Sequence, residues 1–225
     1  MNMDIFEAME ARHAVRKYLD KPIEGEVKEN LVKFIDECNK RSGLNMQLVL
    51  DEPKAFSGNM ARYGKFEGVK NYIALVGKNT RDLYEKCGYY GEKVVLYAQT
   101  LGLNTCWVAM TFSKTDGAYA IEKGEKLALV IAIGYGATQG NPHKSKKFDE
   151  VTTDVQNVPD WFVKGVKCAL NAPTALNQQK FKFSVNGRNV YAKAGRGFYV
   201  KTDLGIVKYH FELGAGKENF EWQFC

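Results

Sequence analysis

A six-residue pattern occurs twice in this chain, and any fold assigned to it has to accommodate both copies. Ser42-Gly43-Leu44-Asn45-Met46-Gln47 recurs as Thr174-Ala175-Leu176-Asn177-Gln178-Gln179. Each copy follows a segment of helical periodicity and precedes an apolar, strand-like run. A pair of such units predicts a duplicated fold, and 225 residues suffice for one sizeable core or for two small half-domains.

Composition narrows the function classes. Apolar residues make up 45% and charged residues 26%, the ordinary range for a soluble globular protein. No run is long and apolar enough to predict a membrane span. Asp4, Glu7 and Glu10 interrupt the first sixteen residues, which argues against a signal peptide. The five cysteines include Cys225 at the end, form no C-x-x-C pair and accompany only three histidines. A disulfide framework and a metal site are therefore not expected, and reduced thiols in a cytoplasmic protein are. Cys225 could serve as a terminal nucleophile only with an activating partner that the sequence does not reveal. The net charge of +6 is spread among acids apart from His143-Lys144-Ser145-Lys146-Lys147. A nucleic-acid binder would gather it into a stripe, so no nucleic-acid partner is expected, whereas one or two of those cations suffice for a single phosphate.

Periodicity predicts a short helix leading into Arg12 and an amphipathic helix over Glu26–Lys40, with Gly43 as its cap. The strongest helical stripe is Val94, Tyr97, Ala98 and Leu101, within a helix over Tyr89–Leu103 that Gly102 closes. Strands are predicted at Leu48–Leu50, Tyr72–Val76, Thr105–Ala109 and Leu127–Ile133, followed by a polar linker over 137–157. Pro159 opens a further helix, Asn186-Gly187 marks a hairpin between Phe181–Val185 and Val190–Lys193, and Asp203–Gly214 forms a last helix. In sequence the Gly205–Gly214 stretch echoes Gly91–Gly102, two residues shorter. The order repeats, so an α+β fold with internal pseudo-symmetry is expected, cut into halves at 1–140 and 141–225.

Four stretches resemble the FMN-dependent nitroreductase family. Arg12-His13-Ala14-Val15-Arg16 is similar to its opening Arg-x-Ser-x-Arg pattern, with Ala14 where Ser is common. Tyr90-Gly91 through Leu101-Gly102-Leu103-Asn104-Thr105-Cys106-Trp107-Val108 resembles its central helix and following strand, and Val130–Gly136 the next strand and turn. Ala172-Pro173-Thr174-Ala175-Leu176-Asn177-Gln178-Gln179 resembles its Ala-Pro-Ser-x-x-Asn-x-Gln-Pro-Trp loop, with Lys180-Phe181 in place of Pro-Trp. The family's loop follows soon after its opening motif, whereas here it lies in the second half. The chain therefore resembles the branch that carries two similar halves as a pseudo-dimer, with antiparallel-rich sheets flanked by helices and the FMN site between the halves. At the repeat offset Arg12 maps to Lys144 but Arg16 maps to Phe148, so one FMN per chain is expected.

The resemblance implies a role for each motif. Arg12 and Arg16, four apart on a helical turn, would hold the flavin phosphate, with His13, Ala14 and Lys146 beside them. Pro173, Thr174, Ala175 and Asn177 would hold the ring and ribityl chain. Trp107, Val108 and Ala109 occupy the place of backbone donors to the flavin N5, although Met110 replaces the usual Gly and Trp107 reads on its own as core. No Ser-His-Asp order, carboxylate pair or Walker-type loop competes, which suits a protein whose cofactor carries the chemistry. The resemblance implies hydride transfer from NADH or NADPH through FMN to a small-molecule acceptor such as a nitroaromatic or quinone, by a monomeric pseudo-dimer. The rival is a non-catalytic flavin-binding or redox-sensing module.

Overall fold

The computed structural model describes residues 3–154 and 156–223; Cys225 lies outside them. The chain forms two compact units, one of Met1–Leu83 with Lys93–Pro142, the other of Tyr84–Glu92 with His143–Cys225. Helices and antiparallel sheets make it a mixed α+β protein.

In the first unit, α1 (Ile5–Ala11) starts where Asp4 caps it. The Asp4 carboxylate accepts from the Phe6 and Glu7 amides at 2.8 Å, and Glu7 accepts from the Asp4 amide at 2.9 Å. This reciprocal box satisfies donors that the first turn leaves unpaired and fixes where the helix delivers Arg12. Helix α2 (Gly25–Ser42) buries Leu31, Ile35 and Cys38 and ends on Gly43 at φ 70°, the left-handed cap predicted from the sequence.

Strand β1 (Leu44–Val49) follows at once and pairs antiparallel with β2 (Tyr72–Lys78). Beyond β2 come β4 (Glu125–Gly134) and then β3 (Asn104–Val108), all neighbours antiparallel. Between β1 and β2 lies the short helix α3 (Asn59–Tyr63). Residues 72–76 of β2 are wholly buried, which explains a continuous apolar run where a half-exposed strand would alternate. Tyr72, Ala74 and Val76 join Val130, Ala132, Cys106 and Val108 in a cluster that also takes in Val15, Tyr18 and Phe66. Helix α4 (Leu83–Thr100) begins six residues before the predicted start and stacks Tyr97 on Phe34 of α2, centroids 4.1 Å apart.

The second unit contains α5 (Asp160–Ala169), the hairpin of β5 (Phe181–Asn186) and β6 (Asn189–Ala194), α6 (Val200–Ala215) and β7 (Glu221–Gln223). Gly187 supplies the positive φ, 59°, that the hairpin turn demands. β7, which periodicity does not reveal, adds parallel to β6. Phe162, Phe183, Phe211, Phe220 and Trp222 form one aromatic cluster, with Phe183 and Phe211 stacked at 4.9 Å and Phe220 edge-on to Trp222 at 5.0 Å.

The Tyr84–Glu92 stretch of α4 crosses α6 at two glycines. A Cβ on Gly88 would lie 2.0 Å from the Thr202 carbonyl oxygen, and one on Gly205 2.0 Å from that of Glu85. Gly88 and Gly205 thus mark the point of closest approach.

The two copies of the six-residue pattern differ in conformation. In the first, Leu44–Gln47 already belong to β1, because Gly43 reverses the chain directly into the strand. In the second, Ala175–Asn177 form a 3₁₀ turn inside a loop that separates α5 from β5. The likeness of sequence therefore marks equivalent places after a helix, not equivalent structure. Among the described residues no helix is long and apolar enough to cross a membrane, and no cluster of three potential metal ligands occurs.

Candidate functional site

Arg12 caps α1 with extended backbone, φ −69° and ψ 117°, so the two arginines do not share a helical turn as the spacing predicted. The chain from 12 to 18 runs extended because other elements take up its backbone groups. Ala14 bridges Thr105 of β3, Lys17 bridges Glu67 and Tyr18 bridges Gly136. The Val15 amide donates to the Thr105 carbonyl at 3.0 Å, and the Glu67 amide donates to the Arg16 carbonyl at 2.9 Å. Val15 and Tyr18 anchor the segment in the core, Tyr18 Oη donating to the Val15 carbonyl at 2.8 Å.

The arginines end in different environments. Arg12 is buried at 4% exposure, whereas Arg16 is exposed, its guanidinium 6.0 Å from the centre of the Phe66 ring. Both fields reach Cys106 on β3: burial pushes that thiol up, and Arg16 and then Arg12 pull it back down. The opening motif and β3 are therefore adjacent, as the predicted grouping of Arg12, His13, Ala14 and Arg16 with Trp107, Val108 and Ala109 requires. Val108 is buried, Trp107 and Ala109 are half-buried and Met110 is 65% exposed, so β3 emerges into solvent at this end.

A further set of residues supports the motif without any signal strong enough to predict it. The Asn104 side chain, 3% exposed, accepts from the Gly136 amide at 3.0 Å and donates to Gln139 at 3.1 Å. This fixes the loop after β4, whose Gly140, at φ 74°, lies against the motif. A Cβ there would sit 2.7 Å from the His13 Cβ and 3.0 Å from the Ala14 carbonyl oxygen. Only glycine tolerates both the φ and the approach. Gly140→Ala is expected to displace His13 and Ala14, with a loss of about 1–3 kcal/mol in a urea melt; an unchanged midpoint would contradict the contact.

The predicted Pro173–Asn177 residues lie in the second unit, as does Lys146. The loop holds Leu176 and Asn177 at φ 52° and Gln179 at φ 45°, a left-handed concentration that non-glycine residues adopt only under constraint. The constraint is a web of hydrogen bonds. The Gln179 amide donates to Thr174 Oγ1 at 3.1 Å, and its side-chain amide donates to Asn177 at 2.9 Å and to the Lys144 carbonyl at 2.8 Å. Asn177 donates to the same carbonyl at 2.9 Å. Lys146 donates its backbone amide to the Gln179 side chain at 2.8 Å and its ammonium to the Gln179 carbonyl at 2.9 Å. Asn177 and Lys146 thus tie the loop to the 143–147 segment, a use beyond the ligand contacts predicted for them. Asp203, which the sequence did not single out, accepts from the Ala175 amide and the Gln178 side chain.

A cavity of about 330 Å³ opens in the first unit among Tyr18, Ile23, Leu50, Asp51, Lys70 and Asn71. None of the predicted site residues lines it, and the Lys70 on its wall pairs with Asp20 at 2.7 Å. This cavity is therefore distinct from the motif-bearing surface.

Comparison with known proteins bears on what these motifs share. The family model described as "Putative TM nitroreductase" matches residues 4–215. A crystal structure of a putative nitroreductase from Thermotoga maritima is 26% identical over 97% of this chain and 86% of that one, with a TM-score of 0.68. A putative nitroreductase from Desulfovibrio desulfuricans, solved in complex with FMN, shares the fold at 16% identity and a TM-score of 0.51, covering 69% of this chain and 98% of that one. A nitroreductase family protein from Streptococcus pneumoniae does so at 14% identity and 0.52, covering 66% and 98%. A search of curated proteins gives no match. With the family model spanning nearly the whole chain, this protein belongs to the putative TM nitroreductase family.

Proposed function

We propose that the protein is an FMN-dependent oxidoreductase that takes a hydride from NADH or NADPH and reduces a nitroaromatic, quinone or similar small acceptor. The carrying observation is the docking of the Arg12–Arg16 segment on β3, where Ala14 bridges Thr105, in a chain of nitroreductase family. The FMN bound in the Desulfovibrio desulfuricans neighbour supports the choice of cofactor.

The donor set fits a flavin mononucleotide. A phosphate needs positive charge and fixed donors, and Arg16 is exposed to meet it while Arg12, four residues before it, is buried. The close approach of Gly140 holds His13 and Ala14 in place, so that their backbone is fixed before a ligand arrives. Ala109, at the emergent end of β3, would offer its amide to the ring edge. When bound, FMN supplies hydride chemistry that no side chain can perform. The chain's part is to hold the phosphate, fix the ring and leave one face open to exchange reductant for acceptor.

The same reading takes the two halves as an internal duplication that mimics a dimer. Topology supports the duplication. In the first unit the order helix, strand, strand, helix, strand places β3 parallel to β2 across β4. In the second unit the same order places β7 parallel to β6 directly, as the first would do without β4. Neighbours matched over almost their entire length account for only about two thirds of this chain. The reading also assigns it to the cytoplasm, as a monomer.

Arg16→Ala is expected to raise the Kd for FMN at least about tenfold, the worth of one hydrogen bond to a charged group, with an unchanged thermal midpoint. Flavin content equal to that of the unaltered protein would remove Arg16 from the phosphate site.

A further inference from the structure

We infer that Asp203 is the positioning residue of the Thr174–Gln179 loop, and that its ionisation controls how well the loop holds the cofactor. The second clause rests on the flavin reading above; the first does not.

The loop cannot keep its shape unaided. Leu176, Asn177 and Gln179 are all left-handed, and Leu176 is 94% exposed, so no packing of its side chain repays the strain. What holds the turn lies beneath it. Asp203, on the first turn of α6, is 4% exposed. One carboxylate oxygen accepts from the Ala175 amide at 2.9 Å and the other from the Gln178 side-chain amide at 2.7 Å. The same Gln178 nitrogen also donates to the Phe198 carbonyl at 2.8 Å, so the amide cannot turn its oxygen towards Asp203 without losing that bond.

Both of these hydrogen-bond partners of the carboxylate are donors. An ionised carboxylate accepts from both; a protonated acid directs an O–H at one of them and forfeits that tether. Burial acts the other way and pushes the carboxyl up to about 6, with the Ala175 amide and then Gln178 pulling it back. No lysine, arginine or histidine side chain of the loop, of α6 or of the stretch before it is among the groups that shift it. Arg196 and Lys201, its neighbours in sequence, are exposed.

Two consequences have opposite signs. The folded carboxyl lies above its ordinary value of 3.8, so acidification through the window from about 6 down to 3.8 relieves a buried charge. The contribution of Asp203 to global stability then rises as pH falls. The loop meanwhile loses a tether and loosens. General acid unfolding would weaken both together.

The test follows the Ala175 backbone amide and the Gln178 side-chain amide by ¹H–¹⁵N NMR in the flavin-free full chain, from pH 8 to pH 5, alone and as Asp203→Asn. FMN affinity is measured by fluorescence quenching across the same range. The Ala175 signal is expected to titrate with a midpoint near 6 and to be flat in Asp203→Asn. The variant should bind FMN about tenfold more weakly at pH 8, where the unaltered protein binds best. The phosphate of FMN also titrates here, but equally for both proteins, so the difference between the two profiles is the readout. An Ala175 signal that does not titrate in the unaltered protein, or equal affinities at pH 8, would overturn the inference. A titrating loop in a protein that retains no FMN would sustain Asp203 as the positioning residue and refute the flavin reading instead. Should Asp203→Asn fail to fold, Gln178→Ala removes one tether from the other side and should show the same loss of affinity.

Discussion

Gly205→Ala is expected to destabilise the protein by about 3 kcal/mol or more, at or beyond the upper end of ordinary overpacking. The added methyl would fall 2.0 Å from the Glu85 carbonyl oxygen and 2.6 Å from the Tyr89 amide nitrogen. Both are backbone atoms of a helix, so no rotamer change relieves the clash and one helix must move. Gly88→Ala should behave alike, because its methyl would meet the Thr202 carbonyl oxygen at 2.0 Å and the Ile206 amide at 3.1 Å. Displacing the helices would also disturb the contacts that flank the crossing, the Tyr89–Glu212 hydrogen bond and the Lys208–Glu85 pair. Urea denaturation of each variant measures the cost. A Gly205→Ala loss below about 1 kcal/mol would show that the helices do not meet this closely.

Glu92→Ala is expected to cost about 1–3 kcal/mol, the range for leaving a buried polar group without its hydrogen-bond partner. His210 and Glu92 have side chains with no exposure, and Nε2 meets the carboxylate at 2.9 Å. The other ring nitrogen lies 3.2 Å from the Cys168 carbonyl. That carbonyl can only accept, so Nδ1 carries a proton and the Nε2 contact with Glu92 depends on one more. Removing the carboxyl takes from a buried ring nitrogen the partner it meets at 2.9 Å. Glu92→Gln keeps an oxygen acceptor in place and should cost markedly less. The two variants, compared by chemical denaturation, separate lost partnership from lost volume: equal losses would mean that the hydrogen bond contributes little.

The structure divides the sequence signals by their range. Local periodicity locates helices and strands well: Gly43 caps α2, Asn186-Gly187 turns the hairpin, and the stripe through Val94 and Ala98 belongs to α4. These depend on neighbours in the chain. β7 has three residues and exists because β6 offers an edge to it, a cause written far away in sequence. The meeting of Gly88 and Gly205 likewise depends on the crossing of two helices, which periodicity cannot fix. The first six-residue copy was misleading for a plain reason: a glycine cap can lead straight into a strand as readily as into a loop.

The candidate site was legible as residue types and less so as geometry. The Arg12–Arg16 spacing pointed to a cationic pair, and the structure docks the segment that carries both on β3, but through extended backbone rather than a helical turn. Alternate residues of an extended chain also share a face, so the spacing alone could not choose. Asn104, Gln139 and Gly140 act on the motif through tertiary contacts. The Gln139-Gly140-Asn141-Pro142 run is a turn signal that could have drawn notice to the loop, though not to its partner. Asp203 looked like any acid in a first helical turn; only its burial and two donors distinguish it.

The most direct test of the proposed activity is an anaerobic absorption spectrum of the purified protein reconstituted with FMN, recorded before and after NADH or NADPH is added. The account predicts a bound-flavin spectrum at one FMN per chain that bleaches with at least one of the nucleotides. A bound flavin that stays oxidised with both would contradict the oxidoreductase and leave a flavin-binding module, while failure to retain FMN at all would contradict the site.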